Sequence, residues 1–305
     1  MEKESSAAEE AVLTEESEAV GLHYVPQKYL RGFTDLSCPD ALWQFDKETL
    51  SYSERPASIA KIAQQRSFYD ADTERRLNEL VERPGNRVLD KLRSGHLKLE
   101  DEERAHLSVY IATMLTRVPH HRAKGEAMVP HVLRQVTSEL REQIRAYSHA
   151  GQISTHTAEQ RLAETDAAEA KFAAEIPNNV RERIRSPWPT ERMINVVYNM
   201  HWRFVCADGS DYFLTTDNPA FFFECYGLGT ENSELTFPVS CRLAMFGSWT
   251  PVADGNRISR RSQFVKEANR RLISAASRFI YSRGKLAWIR KVAAKKQPYL
   301  SRIRW

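Results

Sequence analysis

The sequence is short of the residues that mark several common protein classes. It contains four cysteines in 305 residues, and no two of them form a CxxC pair. Closely paired cysteines supply most structural zinc sites, and disulfide-stabilised secreted domains are short and rich in cysteine. Neither class fits. The thiols are therefore expected to be reduced, which indicates a cytoplasmic protein.

Long apolar runs and nucleotide-binding glycine patterns are also missing. The longest apolar runs, such as 220–223, are far shorter than the roughly 20 residues that a membrane-spanning helix requires. Glycine is scarce at 12 residues, and no P-loop, GxGxxG or GxSxG motif occurs. These absences disfavour membrane insertion and the familiar cofactor-binding and serine-hydrolase classes, so neither a membrane partner nor a cofactor is expected.

Histidine gives only weak evidence for a metal site. His120, His121 and His131 lie close together in the chain, but no HExxH motif or matching carboxylate pattern accompanies them. No metal site is predicted.

The charge of the chain, +4 overall, is unevenly distributed. Residues 1–19 carry seven Glu and one Lys, whereas 278–305 carry nine Lys or Arg and no acid. Residues 1–20 are predicted to form a disordered acidic leader, and 284–305 a basic tail. The tail also contains aromatic residues, which suits contact with nucleic-acid phosphates and bases. The alternative is an amphipathic helix over about 285–296 that packs its apolar side inward.

The order of the secondary-structure patterns predicts an α+β fold. A loosely alternating stretch at 41–56 predicts an N-terminal β-hairpin, and a long helical region follows it. The strongest helical signal spans 102–118, where apolar residues recur at helical spacing. Residues 202–215, which contain an Asp-Gly turn, predict another hairpin. Later strands predict a C-terminal antiparallel sheet, closed by a helix at 261–282.

Proline and glycine mark the expected boundaries within the helical region. Pro84-Gly85 predicts a break between two helices, and Pro119 predicts the end of the long one. Apolar residues are sparse in 121–186, so this segment is predicted to be a peripheral helical arm of a single domain spanning 21–305. Such an arm can bind a protein partner or form a homodimer.

Several short motifs occur in a fixed order along the chain. They are an HxxP signature within His23–Phe33, Phe68-Tyr69, Arg117-Val118-Pro119, Leu214–Pro219, Phe237–Ser240, Asn269 and Arg278–Ser282. Taken in this order, they resemble the domain of unknown function 4238 family, to which the chain is similar from about residue 22 to residue 283. Members of that family have no agreed activity, so the resemblance implies no particular reaction.

Two residues of these motifs are candidate acid–base groups. His23 titrates near neutral pH and can accept or donate a proton, but it can equally order the entry to the helix at Pro26 through a hydrogen bond. Asp217 ends a predicted strand, which can aim its carboxylate into a cleft. Binding to nearby backbone amides in an Asx turn is equally typical of such a position.

Other polar residues of the motifs are candidate substrate ligands. Arg31 and Arg117 can bind phosphate or carboxylate through their forked donors, but either can instead form a buried ion pair with Asp217. A further group can complete a polar cluster or simply satisfy backbone groups: Gln27, Asn218, Ser240 and Asn269.

The leading hypothesis is an enzyme that acts on a phosphate-containing substrate, nucleic acid above all, as a metal-independent nuclease or phosphodiesterase. His23 and Asp217 would transfer protons, and Arg31 and Arg117 would hold phosphate. Two other interpretations stay open. One is a non-enzymatic interaction or sensing module that uses the arm at 121–186, and the other is a receptor for a small ligand.

Overall fold

The computed structural model describes residues 21–66, 68–251 and 262–295. The acidic leader at 1–20 and the last part of the basic tail lie outside the described residues. The chain forms two compact units. The first combines residues up to Pro119 with residues from Pro187 onward, and the second is His120–Ser186.

The described part of the chain has the predicted α+β composition. The helices are α1 (Gln27–Leu30), α2 (Ala71–Leu77), α3 (Arg83–Arg93), α4 (Asp101–Thr116), α5 (Pro119–His149), α6 (Thr155–Ala174), α7 (Asn178–Arg185), α8 (Glu191–Asn199), α9 (Ser262–Ala275) and α10 (Ile289–Ala293). The strands are β1 (Gly21–His23), β2 (Ala41–Asp46), β3 (Ser51–Tyr52), β4 (Ala57–Ser58), β5 (Gln64–Arg66), β6 (His201–Cys206), β7 (Thr215–Thr216), β8 (Phe221–Phe222), β9 (Glu234–Ser240), β10 (Leu243–Ser248) and β11 (Phe279–Ser282). No helix among these is long and apolar enough to cross a membrane.

Antiparallel pairing organises the strands of the first unit into three sheets within the described residues. β1 pairs with β5, and a second sheet has the order β6-β10-β9-β8. The third has the order β3-β2-β11-β7, with β4 also paired to β2. The N-terminal hairpin expected at 41–56 is confirmed, because Phe45 pairs with Tyr52 and Asp46 with Ser51.

The hairpin expected at 202–215 is wrong. β6 pairs along its length with β10, and β7 pairs with β11. The loop between them binds the β9–β10 turn instead of folding back on β6. The N–H of Ala207 donates to the carbonyl of Arg242, and that of Phe213 to the carbonyl of Cys241, both at 2.9 Å.

The break expected at Pro84-Gly85 is also wrong, because the chain is helical from Ala71 to Arg93. A π-helical segment, Asn78–Glu82, joins α2 to α3, and Pro84 lies in the first turn of α3, where a proline is tolerated. Gly85 is needed for the contact between α3 and α4. A Cβ atom there would lie 2.3 Å from the Tyr110 ring.

The predicted helix at 102–118 is confirmed as α4, but Pro119 begins the next helix instead of only ending this one. A proline costs little at a first helical position, since its missing N–H has no partner there anyway. In the second unit, α5 and α6 are joined by Arg141, whose guanidinium donates to Asp166 and Glu169.

The closing helix predicted at 261–282 is too long. α9 ends at Ala275, and Phe279–Ser282 forms strand β11 in the centre of a sheet. The helix predicted at 285–296 is shorter, at Ile289–Ala293, and buries Ile289 as expected.

The core of the first unit fixes the position of α1. The Tyr29 ring lies 5.4 Å from that of Phe237 on β9. Arg93 at the end of α3 donates to the carbonyl of Tyr29 at 3.1 Å and to that of Val239 at 2.9 Å. These contacts hold the segment that follows His23 against α3 and β9.

Candidate functional site

A cavity of about 540 Å³ opens in the first unit, and we call it the His23 cavity. One wall comes from the segment that leads into α1 and from α1 itself. The residues of this wall are His23, Pro26, Gln27, Lys28 and Arg31. The fold thus brings three of the predicted site residues, His23, Gln27 and Arg31, to one cavity.

The opposite wall is a polar stripe on the helical stretch Ala71–Arg93. Glu74, Asn78, Glu82 and Asn86 follow each other at intervals of four residues, and side chains at this spacing share a helix face. The π-helical segment lies in the middle of the stripe, and such segments are frequent at functional sites. Sequence reasoning missed this wall, although the spacing was a usable signal.

Charge and burial differ between the mouth and the floor of the cavity. The four cations at its mouth, Lys28, Arg31, Arg83 and Arg87, are exposed. Deeper in the cavity the side chains are half-buried or buried, and they are His23, Glu74, Glu82 and Asn86. The exposed charged residues of the lining are thus cations, and the less exposed residues carry no fixed positive charge. This distribution suits a ligand with an anionic group at one end.

Three buried polar atoms of the cavity residues have no hydrogen-bond partner among the described residues. They are Nε2 of His23, Oε2 of Glu74 and Oδ1 of Asn86. Asn86 is 8% exposed. Buried polar atoms in folded proteins are nearly always paired, so these three are exceptions, and each has almost no surface accessible from the cavity.

The buried Arg117 contacts two of the cavity residues, His23 and Glu82. Its side chain is 1% exposed, and it donates to Glu82 Oε1 at 2.7 Å, to the Tyr69 hydroxyl at 2.9 Å and to the carbonyl of His23. Tyr69 donates to the same carbonyl at 2.9 Å. Arg117 is not a lining residue, so its geometry is that of a positioning group for His23 and Glu82.

The environment shifts the pKa values of two cavity residues towards each other. Burial lowers the pKa of His23, a hydrogen bond between the ring and the backbone of Ile59 opposes this shift, and the positive charge of Arg117 adds to it. Burial raises the pKa of Glu74, against the opposing effects of Tyr69 and Arg117. His23 is thereby more readily neutral and Glu74 more readily protonated than an exposed residue of its type.

Asp217 is not one of the residues that line the cavity. Its carboxylate is 3% exposed and accepts hydrogen bonds from the N–H groups of Ser277, Arg278 and Phe279 at 2.7 to 2.9 Å. Burial raises the pKa of Asp217, and these three bonds act against the rise. The carboxylate joins the end of β7 to the turn between α9 and β11.

The expected ion pair between Asp217 and either Arg31 or Arg117 is wrong. Arg31 lies 3.4 Å from Asp40, and Arg117 pairs with Glu82. The cation that interacts with Asp217 is Lys47, whose ammonium group donates to the carbonyl of Ile273 at 2.9 Å.

The remaining predicted ligands bind backbone groups. The Asn218 amide donates to the carbonyl of Ala275 at 3.1 Å, and the Ser240 hydroxyl accepts from the N–H of Arg242 at 3.1 Å. Asn269 accepts from the N–H of Leu214 at 3.0 Å and donates to the carbonyl of Tyr212 at 2.9 Å. None of the three lines the His23 cavity.

No group of three or more His, Cys, Asp or Glu side chains that could hold a metal ion occurs in the part of the chain that the structure describes. No curated protein and no solved structure matches the chain. A family model described as "Protein of unknown function (DUF4238)" matches residues 23–285, a range that includes every residue of the His23 cavity. The chain therefore belongs to the DUF4238 family.

Proposed function

We propose that the protein is an enzyme that cleaves a phosphate ester by acid–base catalysis in the His23 cavity, with nucleic acid as the favoured substrate class. The observation that carries the proposal is that His23, whose pKa is lowered by burial, lines the same cavity as four exposed cations. A potential proton acceptor and an anion-binding surface thus share one cavity.

Arg83 and Arg87 are the groups best suited to hold the phosphate. They lie four residues apart on α3, so their side chains share one face, and both line the cavity. Within the described residues neither forms an ion pair, whereas Lys28 at the same mouth lies 2.7 Å from Asp90. Guanidinium groups bind phosphate oxygens through paired donors, which fixes the orientation of the group as well as its position.

His23 would act as the proton acceptor and Glu74 as the proton donor. A lowered pKa keeps the imidazole neutral near pH 7, which leaves a ring nitrogen able to take a proton from the attacking nucleophile. The raised pKa of Glu74 makes its protonated form, which can donate to the leaving oxygen, easier to reach than in an exposed glutamate. Arg117 would keep His23 and Glu82 in position.

The described part of the basic tail supports the choice of a polyanionic substrate. Lys285, Arg290, Lys291 and Lys295 are exposed. Exposed cations of this kind give affinity for a phosphate backbone that is independent of sequence and falls with rising salt. They would add to binding without contributing to the chemistry.

The test is cleavage of RNA and of single- and double-stranded DNA by the wild type, His23→Gln and Arg87→Gln. Matched controls are His96→Gln and Arg75→Gln, which change exposed residues outside the cavity. We expect His23→Gln to slow cleavage by about 10²–10⁴-fold, because it removes the proton acceptor. We expect Arg87→Gln to weaken substrate binding, and both controls to behave as the wild type.

Two results would overturn the proposal. The first is no cleavage of any of these nucleic acids by the wild type. The second is wild-type activity in His23→Gln. Equal unfolding midpoints of the variants show that a loss of activity reflects the site and not the fold.

A second function, protein binding by the helical arm, is favoured by the surface of α5. Met128, Val132, Val136 and Leu140 recur every four residues and are 42 to 55% exposed. Exposed apolar groups in one contiguous stripe are typical of interaction sites. If the arm forms a homodimer or binds a protein, Val132→Glu and Val136→Glu should lower the mass of the complex in light scattering. A wild type that has the mass of a monomer in light scattering would exclude a homodimer.

A further inference from the structure

Phe68-Tyr69 is one of the sequence motifs, and the proposed function gives it no part. Resting on that function, we infer that Tyr69 is a positioning residue, whose hydroxyl joins the two walls of the His23 cavity and sets the geometry of His23 relative to Glu74. The inference comes from the place of Tyr69 in the chain, from the hydrogen bonds of its hydroxyl and from its absence from the cavity lining.

Tyr69 lies directly before the helix that carries Glu74. Asp70 caps α2, where its carboxylate accepts from the N–H of Thr73 at 2.7 Å, and Glu74 follows in the first turn. The preceding residue orders the Tyr69 ring, because the rings of Phe68 and Tyr69 meet edge to face with centroids 5.6 Å apart and Phe68 is buried. The start of α2 thus gives the hydroxyl a defined position.

The Tyr69 hydroxyl contacts the opposite wall of the cavity. It donates to the main-chain carbonyl of His23 at 2.9 Å and accepts from the Arg117 guanidinium at 2.9 Å. Arg117 also donates to the same carbonyl and, at 2.7 Å, to Glu82 Oε1, so one hydrogen-bonded group joins both walls. Neither Tyr69 nor Arg117 lines the cavity. Both therefore act on a ligand only through the residues that they hold.

The Glu74 carboxylate is a second acceptor for the Tyr69 hydroxyl. Burial raises the pKa of Glu74, a hydrogen bond with Tyr69 lowers it, the charge of Arg117 also lowers it, and the charge of Glu82 raises it. A hydroxyl carries one proton, so donation to Glu74 competes with donation to the carbonyl of His23. That carbonyl keeps Arg117 as a donor in either case. The Tyr69 proton can thus follow the charge of Glu74 without leaving a buried carbonyl unpaired.

This arrangement gives the proposed acid and the proposed base a common support. Removing the Tyr69 hydroxyl leaves the four cations at the mouth unchanged, so binding of the phosphate should persist while proton transfer slows. A misplacement of about 1 Å can cost about 10²-fold in rate. A loss in kcat without a matching change in KM therefore distinguishes positioning from binding.

The test is Tyr69→Phe, which removes the hydroxyl and keeps the ring. Its control is Tyr226→Phe, which changes an exposed tyrosine outside the cavity. In the protein without substrate, the ¹³C resonance of the Glu74 carboxyl carbon, assigned with Glu74→Gln, reports the pKa of Glu74. We expect Tyr69→Phe to raise this pKa by about one unit, since a hydrogen bond to the charged carboxylate is lost. The control should leave it unchanged.

The kinetic measurement uses the nucleic acid that the wild type cleaves. Tyr69→Phe should lower kcat by about tenfold to 10²-fold, because His23 and Glu74 lose their common support. KM should stay within about twofold of the wild-type value, because the cations that bind the phosphate are intact. Tyr226→Phe should behave as the wild type in both constants.

The outcomes separate this inference from the proposed function. An unchanged pKa of Glu74 in folded Tyr69→Phe would overturn the inference, as would a loss confined to KM, and a loss of cleavage in His23→Gln would still support the enzyme. The expected rise in pKa without any cleavage by the wild type would overturn the catalytic role of Tyr69 together with the proposed function. If Tyr69→Phe fails to fold, the wild type decides, because the ring resonances of Tyr69 should titrate with the midpoint of Glu74. Unrelated midpoints would overturn the inference.

Discussion

Polar residues that look alike in the sequence have different surroundings in two regions of the first unit. Near the N-terminus, His23, Gln27 and Arg31 line a cavity. In the C-terminal region, Asp217 and Asn269 are buried, and their side chains bind backbone N–H and carbonyl groups. A family motif therefore identifies positions that matter without saying whether they serve chemistry or folding.

The two regions differ in how much of each polar side chain remains available to a ligand. A buried carboxylate with three backbone donors, as at Asp217, has little capacity left for a substrate. The His23 side chain is only half-buried and lines the cavity, so part of its surface stays available to a ligand. The C-terminal group should then affect the free energy of unfolding, and the cavity group should affect activity.

The largest effect on stability is expected from Arg117→Met. The change leaves Glu82 without its cation and removes a donor to the carbonyl of His23, so the free energy of unfolding should fall by about 3–5 kcal/mol. Denaturant unfolding measures the loss. Arg31→Met is the matched control, because its contact with Asp40 is exposed and should contribute at most about 1 kcal/mol. Equal losses in the two variants would contradict the positioning role of Arg117.

A smaller loss is expected from Asp217→Asn. The amide has one oxygen in place of two to accept three N–H donors, so at least one backbone group loses its partner. The unfolding free energy should fall by about 1–3 kcal/mol. Asp40→Asn, an exposed change, is the control. A variant as stable as the wild type would mean that the carboxylate does not anchor the turn after α9.

The smallest expected effect is the contribution of His23 to the pH dependence of the free energy of unfolding. Because its pKa is lower in the folded than in the unfolded chain, the unfolded chain binds more protons between the two values. The contribution of His23 to stability is therefore present above the unfolded pKa of about 6.5 and is lost as the pH falls through the folded pKa. When the pH is lowered from about 7.5 to about 5.0, the free energy of unfolding of His23→Gln should fall less than that of the wild type. The difference should be about 1.4 kcal/mol for each unit by which the folded pKa of His23 lies below the unfolded pKa. Parallel pH profiles would contradict the burial of a neutral imidazole.

Local patterns in the sequence predicted much of the fold, and the errors came from long-range pairing. The helical period at 102–118 and the alternation at 41–56 each identified their element. The Asp-Gly turn within 202–215 was also real, since Gly209 has a φ of +59°. Its flanking residues nevertheless pair with the β9–β10 turn, and no local pattern specifies a partner so distant in sequence.

The sequence predicted one wall of the His23 cavity and missed the other. The segment from His23 to Arg31 was identified, but the wall that faces it was not. Pro84-Gly85 was interpreted as a helix break, which divided the four-residue repeat of Glu74, Asn78, Glu82 and Asn86. A π-helical segment carries the helix up to the proline, and this irregularity has no sequence signature as clear as the proline itself.

The most direct test of the central claim compares His23→Gln with Asp217→Asn in one measurement, the rate of nucleic-acid cleavage per folded molecule. The account predicts that His23→Gln folds normally and loses about 10²–10⁴-fold in rate. It predicts that Asp217→Asn is less stable but cleaves at the wild-type rate once corrected for its folded fraction. Loss of cleavage in folded Asp217→Asn, with activity retained in His23→Gln, would contradict the account and move the site to the C-terminal region.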